Sequence, residues 1–321
     1  MGVTVWLLVL AGAVAAMVAD FTGVRGHWFA DAGAVATTTA YAWGLSVRTG
    51  GRPAIFALLA LVLGLVVVGG DSDPLRSGAA VVTAVLTAVF AVMVTLPAAG
   101  AVAAVREILV ALVVAVIGAM ATLAWAPVVA LDRFQYTALG LSLVASFVTV
   151  FRLGAGFHGL GTRGVLAVVV GSVMLALTLG YAELLRRYGT QSLVDSLDHA
   201  ARWSHHHLGA FPRPIVALLG VPALTWGTHM RARRRQGWWV CAFGVALTAP
   251  VAYGYVDPGR SVREVSLALG YGVLIGLVLG FILIRLDLAM TGGRGSRGRR
   301  AAGSTEAEAL RPEPGRTHAL W

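Results

Sequence analysis

The feature that most constrains this chain is the recurrence, from Val3 to Leu286, of apolar runs with few charges. A helix crosses the hydrocarbon core of a bilayer in roughly 20 apolar residues, and these runs repeatedly reach that length. Lipid offers backbone N–H and C=O groups no water, so a spanning segment must satisfy them internally. The runs contain no alternating strand pattern of the kind a barrel needs. The sequence therefore predicts an all-α integral membrane protein. The windows place about ten transmembrane helices near residues 3–19, 28–47, 54–70, 78–100, 107–131, 136–151, 165–181, 214–230, 237–256 and 265–286. Residues 1–19 lack the basic start of a leader peptide and are read as the first span.

Charge sets the expected orientation. All 25 basic residues are arginine, and the net charge is +10. Sixteen of them sit at Arg48 with Arg52, Arg106, Arg152, Arg163, the run RARRR at 231–235, Arg285, and the final thirty or so residues; the other nine lie among acids such as Asp71, Asp132 and Asp257 on the opposite side in this reading. Loops rich in arginine stay inside, which predicts a multi-pass protein of the cell membrane with both termini cytoplasmic. The same pattern accounts for the basic balance without nucleic acid. With no lysine, Schiff-base and P-loop chemistry are excluded. The single cysteine, Cys241, lies in an apolar run and reads as a buried small hydrophobe. Residues 291–321, rich in Gly, Arg, Glu and Pro, are expected to form a disordered basic cytoplasmic tail. Membrane lipid headgroups are its expected partners.

The halves of the chain resemble each other. YAWGL at Tyr41 matches YAELL at Tyr181, RPAIFALLAL at Arg52 matches RPIVALLGV at Arg213, TLP at Thr95 matches TAP at Thr248, and VREILVAL at Val105 matches VREVSLAL at Val262. The matches keep their order and join each helix to the fifth one after it. Five is odd, so the second half must cross in the opposite sense, giving two inverted five-helix repeats, 1–131 and 136–290. Arg106-Glu107 and Arg263-Glu264 then mark corresponding loops.

Ten helices, both ends inside, and a proline in the fourth helix of each half followed by a glutamate before the fifth resemble the drug/metabolite transporter superfamily with its paired EamA-type domains. The order of the loop charges is reversed here, arginine preceding glutamate. The resemblance implies a permease or exporter that moves a small molecule by alternating access, with its path between the repeats.

Proline in a spanning helix frees a carbonyl that only buried protein or a water-filled cavity can satisfy. Thr95, Pro97, Thr248 and Pro250 are accordingly the leading candidates for the path, followed by Pro222. Tyr41, Trp43 and Tyr181 are aromatic candidates for the same lining, or interfacial anchors. The centres of the spans contain almost no carboxylates, Asp31 being the nearest. That favours neutral, lipidic or amphipathic cargo over coupling through a buried acid. Gly272, Gly276 and Gly280 share one face of the last helix and form a close-packing surface for its own chain, a second copy or another membrane protein.

The offset between matches rises by about twenty residues across DSLDHAARWSHHHLGAFPRP (195–214), which marks residues 190–210 as an insertion on the outer face. Its polar and apolar residues separate as on an amphipathic surface helix. Asp195, His199 and His206 are a weak candidate metal set; no cofactor is otherwise implied. Two GxGxxG matches at 154–164 follow no strand and read as a loop rather than a nucleotide site. Two rival functions remain open: a non-catalytic membrane scaffold or assembly subunit working through the glycine face, and a membrane enzyme acting through the Asp/His segment.

Overall fold

A computed structural model describes residues 2–23, 28–155, 157–233, 236–292 and 313–320. Among these residues there are twelve α-helices and no strand. The first six are α1 (Val3–Phe21), α2 (Trp28–Arg48), α3 (Pro53–Gly70), α4 (Asp73–Met93), α5 (Ala101–Ala124) and α6 (Leu131–Val150). They are followed by α7 (Phe157–Tyr188), α8 (Gln191–Leu208), α9 (Val221–Arg231), α10 (Gly237–Ala242), α11 (Val245–Gly254) and α12 (Val262–Gly292). Single π-turns, Phe151–Ala155 and Val216–Gly220, precede α7 and α9.

Eight stretches among the described residues are long and apolar enough to cross a membrane. The all-helical, membrane-embedded class is therefore plain. The two stretches by which this number falls short of the sequence expectation are α2 and residues 216–231. The first carries Asp31, three consecutive threonines and Arg48; the second is split by its π-turn.

Local chemistry fixes several helix boundaries. Pro53 starts α3, where its missing N–H costs nothing. Asp71 ends that helix in the left-handed region at φ 36°, its N–H returning to Val67 O. Gly209, at φ 78°, ends α8 in the same way without a Cβ penalty. Within the spans, Thr38, Thr122, Ser142 and Thr178 each donate to the carbonyl four residues earlier, so their hydroxyls need no water.

The helices sort by their surroundings. On α3, Leu58, Leu59, Leu63, Leu65 and Val66 stand exposed, as a lipid-facing surface requires. The stretch from Gly237 to Gly254, comprising α10, a break at Phe243–Gly244 and α11, is wholly buried. It forms a central wedge: α10 packs on α6, α7 and α9, and α11 on α4, α5 and α6. Close approach depends on small residues. A Cβ on Gly220 would lie 2.2 Å from Leu247 N, and one on Gly118 would strike Thr87. The glycine face of α12 is filled by the same chain: added Cβ atoms on Gly272, Gly276 and Gly280 would meet Val216, Val221 and Thr225.

The two halves do not pack alike. In the first, α4 lies against α5; in the second, the corresponding α11 makes its main contacts with α4, α5 and α6 rather than with α12. The expected helix near 78–100 also stops early, at Met93, and residues 94–100 run without helix before α5. Pro97 therefore lies outside any helix, whereas Pro250 lies within α11 and Pro222 in the first turn of α9. The physical reason is that Leu96, preceding a proline, is pushed away from helical torsions.

Candidate functional site

The non-helical Val94–Gly100 segment is buried at Thr95 and Ala98, where unpaired backbone groups would be costly. Side chains from three other helices satisfy it. Arg48, ending α2, donates through Nε to Met93 O at 3.0 Å. Arg231, ending α9, donates to Thr95 Oγ1 and to Thr95 O, both at 2.9 Å. Glu107 of α5 accepts from Leu96 N at 2.7 Å. Ala98 donates from its N–H to Thr228 O and has His229 Nδ1 3.2 Å from its carbonyl.

This end of the bundle thus holds Arg231 and Glu107, each with a side chain 0% exposed. Arg48 is 1% exposed. Arg231 lies over the Trp238 ring, 3.5 Å from its centroid, and approaches Cys241 Sγ. The opposing charges come from residues 313–320, hereafter the strap. Glu313 receives two bonds from Arg231, at 3.2 Å and 2.5 Å. Arg316 donates through one nitrogen to both oxygens of Glu107, at 2.6 and 2.7 Å. Arg48 holds the carbonyls of Gly315 and His318, and its own carbonyl accepts from Leu320 N. These eight residues of the tail form no helix or strand, but buried charges of the bundle bond to them. For 293–312 the expectation of an unstructured tail lies outside the described residues.

A second cluster of ion pairs lies at the opposite end of α2 and α4. Arg76 makes a two-pronged pair with Asp31, at 2.8 and 3.1 Å, and also bonds Asp71 at 3.0 Å. Just before the 216–231 stretch, Arg213 donates to Pro250 O at 3.0 Å. Burial pushes its guanidinium below the ordinary arginine value.

The other candidates scatter. Thr248 is buried and donates to Ala88 O at 2.9 Å, tying the wedge to α4. Tyr41 is buried, its hydroxyl on Val114 O and its ring against Phe90. Trp43 is half-buried, and Tyr181 is 44% exposed on α7. Of the loop charges, Glu107 is buried. Arg263 is exposed and Glu264 only half-buried, with its N–H capped by Ser261 Oγ. Residues 190–210 contain α8, exposed along most of its length, with His207 stacked on Trp203. Asp195, His199 and His206 do not converge: no three His, Cys, Asp or Glu residues among those described come close enough to hold an ion.

Sequence reasoning missed Arg48, Arg231, Glu313 and Arg316 as site residues, treating all four as topology or tail charges. It also missed a buried chain in which Trp125 Nε1 donates to Thr83 Oγ1, itself 3.1 Å from Thr38 Oγ1. The one sequence signal was RARRR, whose first arginine directly ends an apolar run and so had to be buried or to snorkel. No protein-family model, curated protein or solved structure matches the chain.

Proposed function

We propose that this protein is a membrane permease. In this reading a small molecule passes along the seam between α4 and the α10–α11 wedge, exposed alternately at two ends that are now locked. The observation that carries it is the non-helical connection Val94–Gly100 between α4 and α5, buried at Thr95 and Ala98 and held at one end of the seam by buried charges. Irregular backbone whose polar groups are met by buried side chains rather than water is the kind of backbone that lines substrate and gate regions in transporters. The Arg76–Asp31–Asp71 cluster would close the far end. The ten crossings, the inverted halves and the cytoplasmic placement of both termini belong to the same reading, supported by the order of the sequence matches and by the arginine clusters. Full burial of the wedge also suits the rival reading, a rigid scaffold.

Labelling separates the two. In a Cys241→Ala background, Thr248→Cys places a thiol in the seam. The permease reading expects an impermeant maleimide to reach it slowly from each side of a sealed vesicle. Absence of labelling from both sides, over hours and across temperatures at which the protein stays folded, would leave the scaffold.

A further inference from the structure

We propose that the pocket made by Arg231, Glu107, Arg48 and the Thr95–Ala98 break is a binding site for a dipolar ligand, and that the strap is its tethered occupant. The ligand class is a molecule with a carboxylate for Arg231 and an amine or guanidinium for Glu107, the chemistry of an amino acid or short peptide. The inference names the cargo chemistry of one gate and to that extent rests on the permease reading; binding itself does not require transport. It replaces the expectation of neutral or lipidic cargo, which rested on the scarcity of buried acids.

The charges carry the argument. Among the described residues, the bundle offers Arg231 only neutral partners: Thr95, the Trp238 face and Cys241. It offers Glu107 the Leu96 N–H and Arg106, which is 58% exposed. A buried guanidinium without a counter-charge is strongly disfavoured, so the pocket is built to be filled by a complementary pair. The two charges are also adjacent, since Arg231 binds Thr95 and Glu107 binds Leu96. Glu313 and Arg316 match them with one acid and one base, three positions apart.

A further polar contact stays open beside them. His229 is 5% exposed, and its Nε2 lacks a hydrogen-bond partner among the described residues although Nδ1 is on Ala98 O. The strap leaves that atom unused. Gly315, Thr317 and His318 of the strap are exposed, while Leu320 is its one residue packed on the apolar core.

The test uses full-length protein in lipid nanodiscs and, as probe, a fluorescein-labelled peptide with the sequence of residues 311–321. The double variant Glu313→Gln, Arg316→Gln weakens the strap and leaves the pocket intact. It is expected to bind the peptide at least tenfold more tightly than wild type does, with free arginine competing. A peptide carrying alanine at the positions of Glu313 and Arg316 should not bind. Equal binding of the two peptides, or none to either protein, overturns the proposal. A second readout needs no variant: in wild-type protein, saturating free arginine should speed hydrogen exchange at the Leu320 amide severalfold, and an unchanged rate counts equally against it. Peptide binding without any labelling of Thr248→Cys would keep the site and discard the permease. Labelling without peptide binding would keep the permease and reduce the strap to a clasp.

Discussion

At the scale of single residues, the structure turns on a few charges that lipid would not tolerate alone. Replacing Arg231 with methionine strands Glu313 and leaves Thr95 O only the longer bond from Arg48, an effect on the order of 3 kcal/mol. It should appear as a large fall in melting temperature in detergent. Because Arg231 and Glu313 form one unit, the Arg231→Met, Glu313→Gln double variant should be less damaged than the summed single losses, and strict additivity would show the pair to be uncoupled. Thr248→Val removes one hydrogen bond at nearly constant volume; interhelical bonds of this kind are worth about 0.6 kcal/mol, so its melting point should fall only slightly. These roles were poorly legible in the sequence. Arg231 and Arg48 obey the positive-inside pattern, and nothing in that pattern separates an arginine facing water from one turned inward. The repeat points to Glu107, but its burial is not legible in the sequence, because it depends on how the connection before α5 folds back to bring the Leu96 N–H onto it.

At the scale of elements, periodicity and hydropathy put a helix in every expected window, but in half of the windows, among them 107–131 and 165–181, at least one end lies five to eight residues from the expected one. The departures have local causes. Pro97 and the small residues around it end α4 early, and the central stretch is two short helices, α10 and α11, rather than one. The glycine face of α12 was legible as a packing surface, but its partner could not be read, since only the fold brings Val216, Val221 and Thr225 against it. Replacing Gly276 with leucine should force α12 away from α9 and cost about 1–3 kcal/mol. Gly140→Leu is the control, because a Cβ at Gly140 meets nothing within 4 Å. Equal losses of thermal stability for both would contradict the packing. Removing residues 190–209 should leave the bundle folded, because α8 is mostly exposed and is tied down by few bonds, among them Tyr271 to Leu208 O and Ser204 to Ala210 O. Loss of a monodisperse peak on size-exclusion chromatography would contradict this.

At the scale of the whole molecule, one end of the bundle gathers Arg48, Thr95, Glu107, Arg231 and the strap, and another cluster gathers Asp31, Asp71 and Arg76. A bundle held shut by a few strong pairs at either end has the economy of a two-state device, since each lock can be exchanged for a ligand or for water without repacking the apolar interior. The two stretches joined by the sequence matches make different contacts, α5 lying against α4 and α11 whereas α12 lies against α9 and the turn before it.

The central claim is that the end closed by the strap opens. Spin labels at Arg52→Cys and Arg233→Cys, in the Cys241→Ala background, flank that end, and double electron–electron resonance in nanodiscs reads the distance between them. The account expects one short distance in the otherwise unaltered protein and a second, longer population in the Glu313→Gln, Arg316→Gln variant, growing further with free arginine. A single unchanged distance in both proteins, with and without ligand, would contradict it.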